Sequence, residues 1–206
     1  MAEPTYTRLD VDERRKQLLE RGTELFTRYS YGELSMAEIA RQAGISKALL
    51  YHYFPSKRDF FVATLQRAAE ELRVRTEPDP SKPPLEQLTG SLEGYLELIE
   101  ENSAPYEKLI ESATTVAEVR ELIDNVRELT AQRILAGIVP EGQDPPPTVR
   151  AAVRAWLWFM DGVCLDWVRE KDFSRRELRD MLLGTLMGAV AAAGGHSILN
   201  SLVETT

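Results

Sequence analysis

Apolar residues recur every three to four positions along most of the chain, and no segment alternates regularly between apolar and polar residues. This spacing is typical of helices that bury one face, so the pattern predicts an all-α protein. The first helix is predicted from Asp12 to Tyr29. Its apolar face carries Leu18, Leu19, Gly22, Leu25 and Phe26.

Two short helices follow, and capping residues mark their ends. Ser35 is a good N-cap, with Glu38 three residues later as its partner in a capping box. The helix that begins there is predicted to end at Gly44, because glycine commonly follows the last turn of a helix. Ser46 caps the next helix, which is predicted to end near Phe54 because a proline comes next.

Two proline-rich segments, at 77–84 and 140–147, divide the rest of the chain, since proline cannot continue a helix. A connecting helix is predicted over residues 56–76. Five more helices are predicted, roughly from Leu85 to Asn102, Pro105 to Ser112, Val116 to Ile138, Thr148 to Lys171 and Ser174 to Ala193. The predicted fold therefore has about nine helices, with an N-terminal three-helix domain over residues 1–55 and a C-terminal helical bundle over residues 77–206.

Charge is distributed unevenly between these two parts. The whole chain of 206 residues has a net charge of -8. Residues 1–76 hold 13 Lys and Arg against 11 Asp and Glu, whereas residues 77–206 hold 12 against 22. The N-terminal part is thus slightly basic and is compatible with a nucleic-acid partner, while the acidic residues of the second part are expected to form a solvated surface.

Several classes of protein are not supported by the chain. The single cysteine, Cys164, allows no intrachain disulfide, and neither His52 nor His196 lies in an evident site with it. The spacings typical of metal sites, phosphate-binding glycine loops and nucleophile elbows do not occur, so we expect no catalytic activity, no metal and no cofactor. The N-terminal residues do not resemble a signal peptide, and no segment is apolar enough to span a membrane, so a soluble cytoplasmic protein is expected.

The two short helices have the dimensions of a helix-turn-helix motif. Reading DNA with this motif requires a first helix fixed against the second, and a second helix exposed on one side with polar groups around it. The predicted internal contacts involve Met36, Ile39, Ala40, Ala43, Ile45, Leu50 and Phe54. The predicted outward residues are Lys47, Ala48, Tyr51 and His52, with Tyr53 at the edge. A similar helix pair is also common in α-bundles that bind no DNA, and aromatic residues at helical spacing often belong to a core.

The segment "LSMAEIARQAGISKALLYHYFPSKRDFF" resembles the DNA-binding domain of TetR-family (tetracycline-repressor-like) transcriptional regulators. The matching positions are Ser35, Ile39, Ala40, Ala43, Gly44, Ile45, Ser46, Leu50, Tyr51, Phe54 and Lys57. The resemblance covers roughly residues 12–65, about a quarter of the chain. It implies a sequence-specific DNA-binding protein that recognises a double-stranded operator.

The resemblance also implies roles for individual residues. Ser35, Tyr51 and Lys57 would hold backbone phosphates. Lys47 and Ala48 would face base edges in the major groove.

Four neighbouring positions complete the implied DNA-binding surface. Tyr53 would contact a phosphate or an adjacent base, and His52 would either donate to a phosphate or remain solvated. Ser46, like Ser35, begins a helix whose free N–H groups and positive dipole end attract an anion. Leu49 departs from the family, which often has a small or polar residue there, and it would either touch a thymine methyl group or pack sideways.

Small residues recur in the last predicted helix, where Gly184, Gly188 and Ala192 are spaced four apart. Such a stripe lets a second helix approach closely. We therefore expect a two-fold homodimer formed by the helices over residues 148–171 and 174–193. An ordinary central core helix is the alternative interpretation.

The segment "RAWLWFMDGVCLDWVRE" is rich in large side chains and could contribute to a ligand pocket. The candidate lining residues are Trp156, Phe159, Met160 and Cys164, facing Tyr95, Tyr106, Leu109 and Ile110. Plain core packing is the alternative for each of them. An apolar lining favours a small hydrophobic or amphipathic effector.

Together these features predict a homodimeric transcriptional repressor that a small-molecule effector releases from a palindromic operator. Two alternatives remain. In one, the C-terminal part only dimerises, and the protein regulates transcription without a ligand. In the other, the chain is a helical small-molecule carrier or an enzyme that kept the N-terminal fold.

Overall fold

A computed structural model describes residues 11–140 and 142–204, and within these ranges it contains ten α-helices and no β-strand. The helices are α1 (Val11–Arg28), α2 (Met36–Gln42), α3 (Lys47–Tyr53), α4 (Lys57–Arg75), α5 (Pro84–Glu101), α6 (Ser103–Ser112), α7 (Ala117–Ile138), α8 (Pro147–Glu170), α9 (Arg175–Ala192) and α10 (His196–Glu204). The predicted all-α fold is confirmed for this part of the chain. The first ten residues of the predicted N-terminal domain, including the segment compared with signal peptides, lie outside the described residues.

The described residues contain one helix more than the roughly nine predicted, namely α10. The pair Gly194 and Gly195 was interpreted as the end of the last helix, but the chain turns there and forms another helix. This helix packs against α5, α7 and α9 and buries Ile198 and Leu202. The other predicted helix boundaries agree with the structure to within two residues.

The contacts divide the chain into two compact units, with the boundary between Ala68 and Ala69. This boundary lies inside α4, the helix that the sequence predicted as a connection between domains.

The first unit is built around an apolar cluster that includes residues from α1, α2, α3 and α4. Phe54, which follows α3, and Phe60 on α4 meet edge to face, with ring centroids 5.0 Å apart. Gly22 allows α1 to approach α4 closely, since a Cβ atom there would lie 2.6 Å from Thr64 Oγ1 and 2.7 Å from Phe60 Cζ. The first unit thus holds α3 by one face.

The second unit is a helical bundle in which α8 packs against α6, α7 and α9. The start of α9 is fixed by the capping box of Ser174 and Glu177. The guanidinium of Arg175 then bonds three carboxylates of α5, those of Glu93, Glu97 and Glu100. Among the described residues, no helix is long and apolar enough to cross a membrane.

Candidate DNA-binding surface and effector site

Helix α2 and the turn after it orient α3. Ser35 Oγ accepts a hydrogen bond from the backbone N–H of Glu38 at 3.2 Å. A capping box would also have the Glu38 carboxylate accept from the backbone N–H of Ser35, but this carboxylate instead accepts from Arg41 and Gln42. These two hydrogen bonds lower the pKa of Glu38 to about 2. Gly44 has φ +67, so the turn between the helices uses the left-handed conformation that glycine adopts without strain.

Helix α3 has one buried and one exposed side, as the sequence predicted. Its first turn is capped by Ser46, whose Oγ accepts from the N–H of Leu49 at 3.1 Å. Leu50 is fully buried and Phe54, just past the helix, is 2 % exposed, so these two residues fasten α3 to the first unit. This leaves the opposite side of a short helix open to solvent.

The exposed side of α3 presents the residues that the resemblance assigned to DNA. Lys47, Ala48, Leu49, Tyr51 and His52 are exposed, and Tyr53 is half-buried. The Lys47 ammonium lies 5.7 Å from the centroid of the Tyr51 ring, and the His52 and Tyr53 rings meet at 5.4 Å. The surface therefore combines an ammonium, hydroxyls and an imidazole, all of which can donate to phosphate oxygens.

The hydroxyl groups of the two capping serines act as acceptors in the caps, so the proton of each hydroxyl remains available to donate. Both Ser35 and Ser46 are exposed and accept a bond from the backbone of their own helix. Because a hydroxyl can accept and donate at once, this capping role is compatible with the predicted phosphate contact.

Lys57 has a structural role that the sequence did not reveal. Its Nζ atom donates to the carbonyl oxygens of Tyr31 at 2.9 Å and Leu34 at 3.0 Å, and it lies 4.2 Å from the Tyr31 ring centroid. An ammonium has three protons to donate, so one remains for a phosphate. Lys57 thus holds the loop between α1 and α2, and its contact with a phosphate stays a prediction.

An open groove of about 570 Å³ lies beside the end of α3. Its lining includes Arg15, Tyr53, Pro55, Arg58, Asp59 and Gln66. The Arg15 guanidinium lies 5.3 Å from the centroid of the Phe54 ring, so α1 brings a cation next to the end of α3. The sequence interpretation did not name this groove.

In the second unit, four side chains from four helices form a partly buried polar cluster: Tyr95 (α5), Tyr106 (α6), Arg127 (α7) and Asp161 (α8). Arg127 binds one carboxylate oxygen of Asp161 through Nε at 2.8 Å and Nη2 at 2.7 Å. The Tyr95 hydroxyl lies 3.4 Å from the other carboxylate oxygen of Asp161 and 3.4 Å from the Tyr106 hydroxyl. The Tyr106 hydroxyl lies 3.4 Å from the Asp161 carbonyl oxygen.

Burial shifts the acid–base properties of this cluster. It raises the pKa of both tyrosine hydroxyls, and the nearby Asp161 charge adds to the effect. Burial also raises the pKa of the Asp161 carboxyl, while Arg127 opposes that rise. The Cys164 thiol, one turn further along α8, has its pKa raised by burial and then by Asp161. The cluster therefore consists of one ion pair surrounded by neutral donors and acceptors.

The predicted pocket residues are only partly brought together. Tyr95 and Tyr106 meet in the cluster, and Leu109 and Ile110 are half-buried on α6, a helix without a fully buried residue. Cys164 and Met160 are buried in the core of the bundle.

Two predicted lining residues face elsewhere. The Trp156 indole N–H donates to the Leu182 carbonyl at 3.0 Å, so this ring lies against α9. Phe159 is 40 % exposed, on the outer side of α8.

Two residues of the cluster were missed from the sequence. The expectation that the acidic residues of the second part lie on a solvated surface is wrong for Asp161, which is 9 % exposed. Its position between apolar residues, three before Cys164, was the available signal. Arg127 carried no such signal, because the side chains that it meets on α8, Asp161 and the ring of Trp158, are more than thirty residues away.

The outer faces of α8 and α9 carry small and apolar residues without cover in the single protomer. On α9, Met181, Gly184, Gly188 and Ala192 are exposed; on α8, Ala151, Ala155, Trp158, Phe159 and Gly162 are exposed. A Cβ atom added at Gly184 or Gly188 would meet nothing within 4 Å. This surface, named here the α8/α9 face, includes the small-residue stripe predicted from the sequence.

A helix-turn-helix unit with an exposed second helix, followed by a helical bundle, defines a DNA-binding regulator with a separate C-terminal unit. Residues 18–64 match the family described as bacterial regulatory proteins, tetR family, and residues 84–189 match the tetracyclin repressor-like C-terminal domain. The chain belongs to the TetR family of transcriptional regulators, as the resemblance predicted, and this family consists of regulators rather than enzymes.

Individual relatives agree with this family. The transcriptional activator FasR of Mycolicibacterium smegmatis is 36% identical over 111 residues, which cover 51% of this chain and 49% of that protein. The transcriptional repressor KstR of Rhodococcus jostii is 34% identical over 76 residues, covering 37% of this chain and 36% of that protein. The chain thus spans half or less of the length of these curated relatives.

A solved structure matches over nearly the whole chain. A TetR-family transcriptional regulator from Streptomyces coelicolor superimposes with a TM-score of 0.83 at 28% identity, covering 96% of this chain and 91% of that one. The similarity in fold therefore includes both units.

Proposed function

We propose that the chain is a homodimeric transcriptional repressor, released from a palindromic operator by a small hydrophobic effector. Each protomer places α3 in a major groove, and the two α3 helices read successive grooves about 34–36 Å apart. The observation that carries this proposal is the two-sided α3, on which Leu50 is buried while Lys47, Tyr51 and His52 face solvent. The protein acts on chromosomal DNA in the bacterial cytoplasm.

The residues on α3 divide between affinity and specificity. Lys47 and Ala48, in the first turn, reach base edges, while the hydroxyls of Tyr51 and Tyr53 donate to phosphates. Leu49 is 37 % exposed, so it is available for an apolar contact with a thymine methyl group.

The dimer uses the α8/α9 face. Exposed Trp158, Phe159 and Met181 provide apolar area, and the small residues between them allow close helix contact. A two-fold axis through this face makes the same residues meet their own copies, which produces a closed dimer.

The effector binds inside the second unit, next to the polar cluster of Tyr95, Tyr106, Arg127 and Asp161. It lowers operator affinity only if it binds more tightly to a state in which the two α3 helices no longer fit successive grooves. Among the relatives, one is named an activator and another a repressor, so the direction of regulation is part of the proposal.

Fluorescence anisotropy with DNA from upstream of the gene tests operator binding. Lys47→Met and Tyr51→Phe should each weaken binding by about 1–3 kcal/mol, since each removes a DNA contact. Lys82→Met, a loss of one positive charge in the loop before α5, is the matched control and should change affinity little. Equal effects of Lys47→Met and Lys82→Met would show that α3 does not read DNA.

A reporter gene behind the bound promoter tests the direction of regulation. Deletion of the regulator should raise expression, whereas a fall would identify an activator. A protein that binds no DNA from its own upstream region would support the carrier alternative.

A further inference from the structure

We infer that the effector is an apolar molecule ending in an uncharged hydroxyl group, which the polar cluster of the second unit recognises. This inference rests on the proposed function, since it names the chemistry of the effector that would act at this site. It follows from which polar groups in the cluster are already bonded and which are not.

The guanidinium of Arg127 is fully occupied by carboxylates. Arg127 uses Nε and Nη2 on one carboxylate oxygen of Asp161 and donates through Nη1 to Asp124 at 2.8 Å. Its guanidinium also lies 3.7 Å from the centroid of the Trp158 ring. A carboxylate ligand would have to displace Asp161 from Arg127, and the remaining buried charge would be costly.

The two tyrosine hydroxyls and one carboxylate oxygen of Asp161 are under-bonded. All three contacts of the tyrosine hydroxyls measure 3.4 Å, beyond the 2.5–3.0 Å of a good O–H···O bond. Among the residues that the structure describes, the second carboxylate oxygen of Asp161 has only the long contact from Tyr95. Burial of such groups without full hydrogen bonds costs free energy, which a ligand that completes the bonds recovers.

A fourth polar atom in this region has no partner at all. Ser91 Oγ is buried and makes no hydrogen bond to any residue that the structure describes. Ser91 lies one turn before Tyr95, and residues four apart share one face of a helix. The same side of α5 thus presents an unbonded hydroxyl and a weakly bonded one.

A hydroxyl group on the ligand can complete the hydrogen bonds of these polar atoms. It can donate to the free oxygen of Asp161 and accept from Tyr95 or Tyr106, whose raised pKa keeps both as donors. A cationic amine would satisfy Asp161 but would lie close to the Arg127 guanidinium. The apolar remainder of the molecule would lie along α6, where Leu109 and Ile110 are half-buried.

Probe binding to the full chain can be measured by the rise in the melting temperature of the protein. Two sets of probes are used, and within each set the hydrocarbon part is the same and only the head group differs. One set is dodecanol, dodecanoate and dodecylammonium, and the other is adamantanol, adamantane carboxylate and adamantyl ammonium, all below micellar concentrations. At least one alcohol should bind about tenfold more tightly than its charged partners, a difference of about 1.4 kcal/mol. Changing both Tyr95 and Tyr106 to phenylalanine should weaken the binding of that alcohol by about tenfold, whereas the control Tyr29→Phe should not change it.

Charge variants separate recognition from a merely structural role. Asp161→Asn removes the carboxylate that Nε and Nη2 of Arg127 bind, so the binding preference should move to the carboxylate probe by about tenfold or more. Arg127→Gln should shift the binding preference toward the ammonium probes. Thermal unfolding of each variant without probe shows whether that variant folds. If the charge variants do not fold, the tyrosine variants still test the inference.

The outcomes distinguish the inference from the proposed function. Tighter binding of a carboxylate or an ammonium to the unmodified protein would overturn the hydroxyl assignment and leave effector binding intact. An unchanged order of preference in a folded Asp161→Asn variant would also overturn it. No binding of any probe, with operator binding intact, would reject both the assignment and the effector part of the proposed function.

Discussion

The substitution Gly188→Ala should stabilise α9 if its outer face is exposed to solvent, but should weaken the dimer if that face is packed in a dimer interface. In the single protomer, Gly188 is exposed and a Cβ atom there would meet nothing within 4 Å. If this face were free, alanine would stabilise the helix by about 0.5–1 kcal/mol, because glycine is the poorer helix former.

In the proposed dimer the same methyl group enters a close helix contact. An added methyl group in a well-packed site costs about 1–3 kcal/mol. The two-fold axis places two such groups in each interface, so the cost is about 2–6 kcal/mol per dimer. The gain in helix propensity is common to monomer and dimer and cancels from the dissociation constant, which should rise about thirtyfold or more.

Sedimentation of a dilution series measures this constant, and thermal unfolding measures the stability of the chain. Gly90→Ala is the matched control, because Gly90 is also exposed in a helix with nothing within 4 Å of the added Cβ. It should raise the melting temperature without changing the dimer. If Gly188→Ala behaves in the same way as this control, the α8/α9 face is not the dimer interface and the reasoning fails.

Three further predictions concern single residues. Lys57→Met should lower the free energy of unfolding by about 1–3 kcal/mol in urea, because its carbonyl contacts are lost. Because burial raises the pKa of Asp161, this residue should stabilise the fold increasingly as pH falls through that raised pKa, and Asp161→Asn should abolish this contribution in unfolding measured across pH. Gly94→Ala should destabilise the chain by about 1–3 kcal/mol on thermal unfolding, since its Cβ would lie 2.4 Å from the Arg75 carbonyl oxygen; Gly90→Ala is again the control.

Local features made most helices predictable from the sequence. Helix ends depend on residues close in the chain, such as Ser46 with Leu49 and Ser174 with Glu177, and these caps appear in the structure. The orientation of α3 was predictable for the same reason. Leu50 and Phe54 are four residues apart, which indicates a shared direction, and both are buried although Phe54 lies just past the end of α3.

The missed α10 shows where local signals mislead. Two successive glycines normally favour the end of a helix. Here Gly194, with φ +88, does end α9, and Gly195 serves a close approach, because a Cβ atom there would lie 2.6 Å from Val190 Cγ1 and 2.8 Å from the Val190 carbonyl oxygen. The turn sends α10 back onto the bundle, and only its tertiary contacts reveal the difference.

Contacts between distant residues could not be predicted from one sequence. Lys57 meets carbonyl groups 23 and 26 residues away, and Arg127 meets Asp161 34 residues away. Periodicity indicates which face of a helix is apolar, but not which helix will cover that face. The polar cluster therefore emerged only from the structure, although two of its residues were among the predicted pocket residues.

The contact at Gly94 connects the polar cluster to the end of α4. Gly94 precedes Tyr95 on α5, and its backbone lies so close to the Arg75 carbonyl that no side chain fits between them. Arg75 also binds Glu101, the last residue of α5, at 2.7 Å. A ligand that shortens the long contacts of Tyr95 must move α5 or the tyrosine ring. If α5 moves, the absence of free space at Gly94 makes the last turn of α4 move with it.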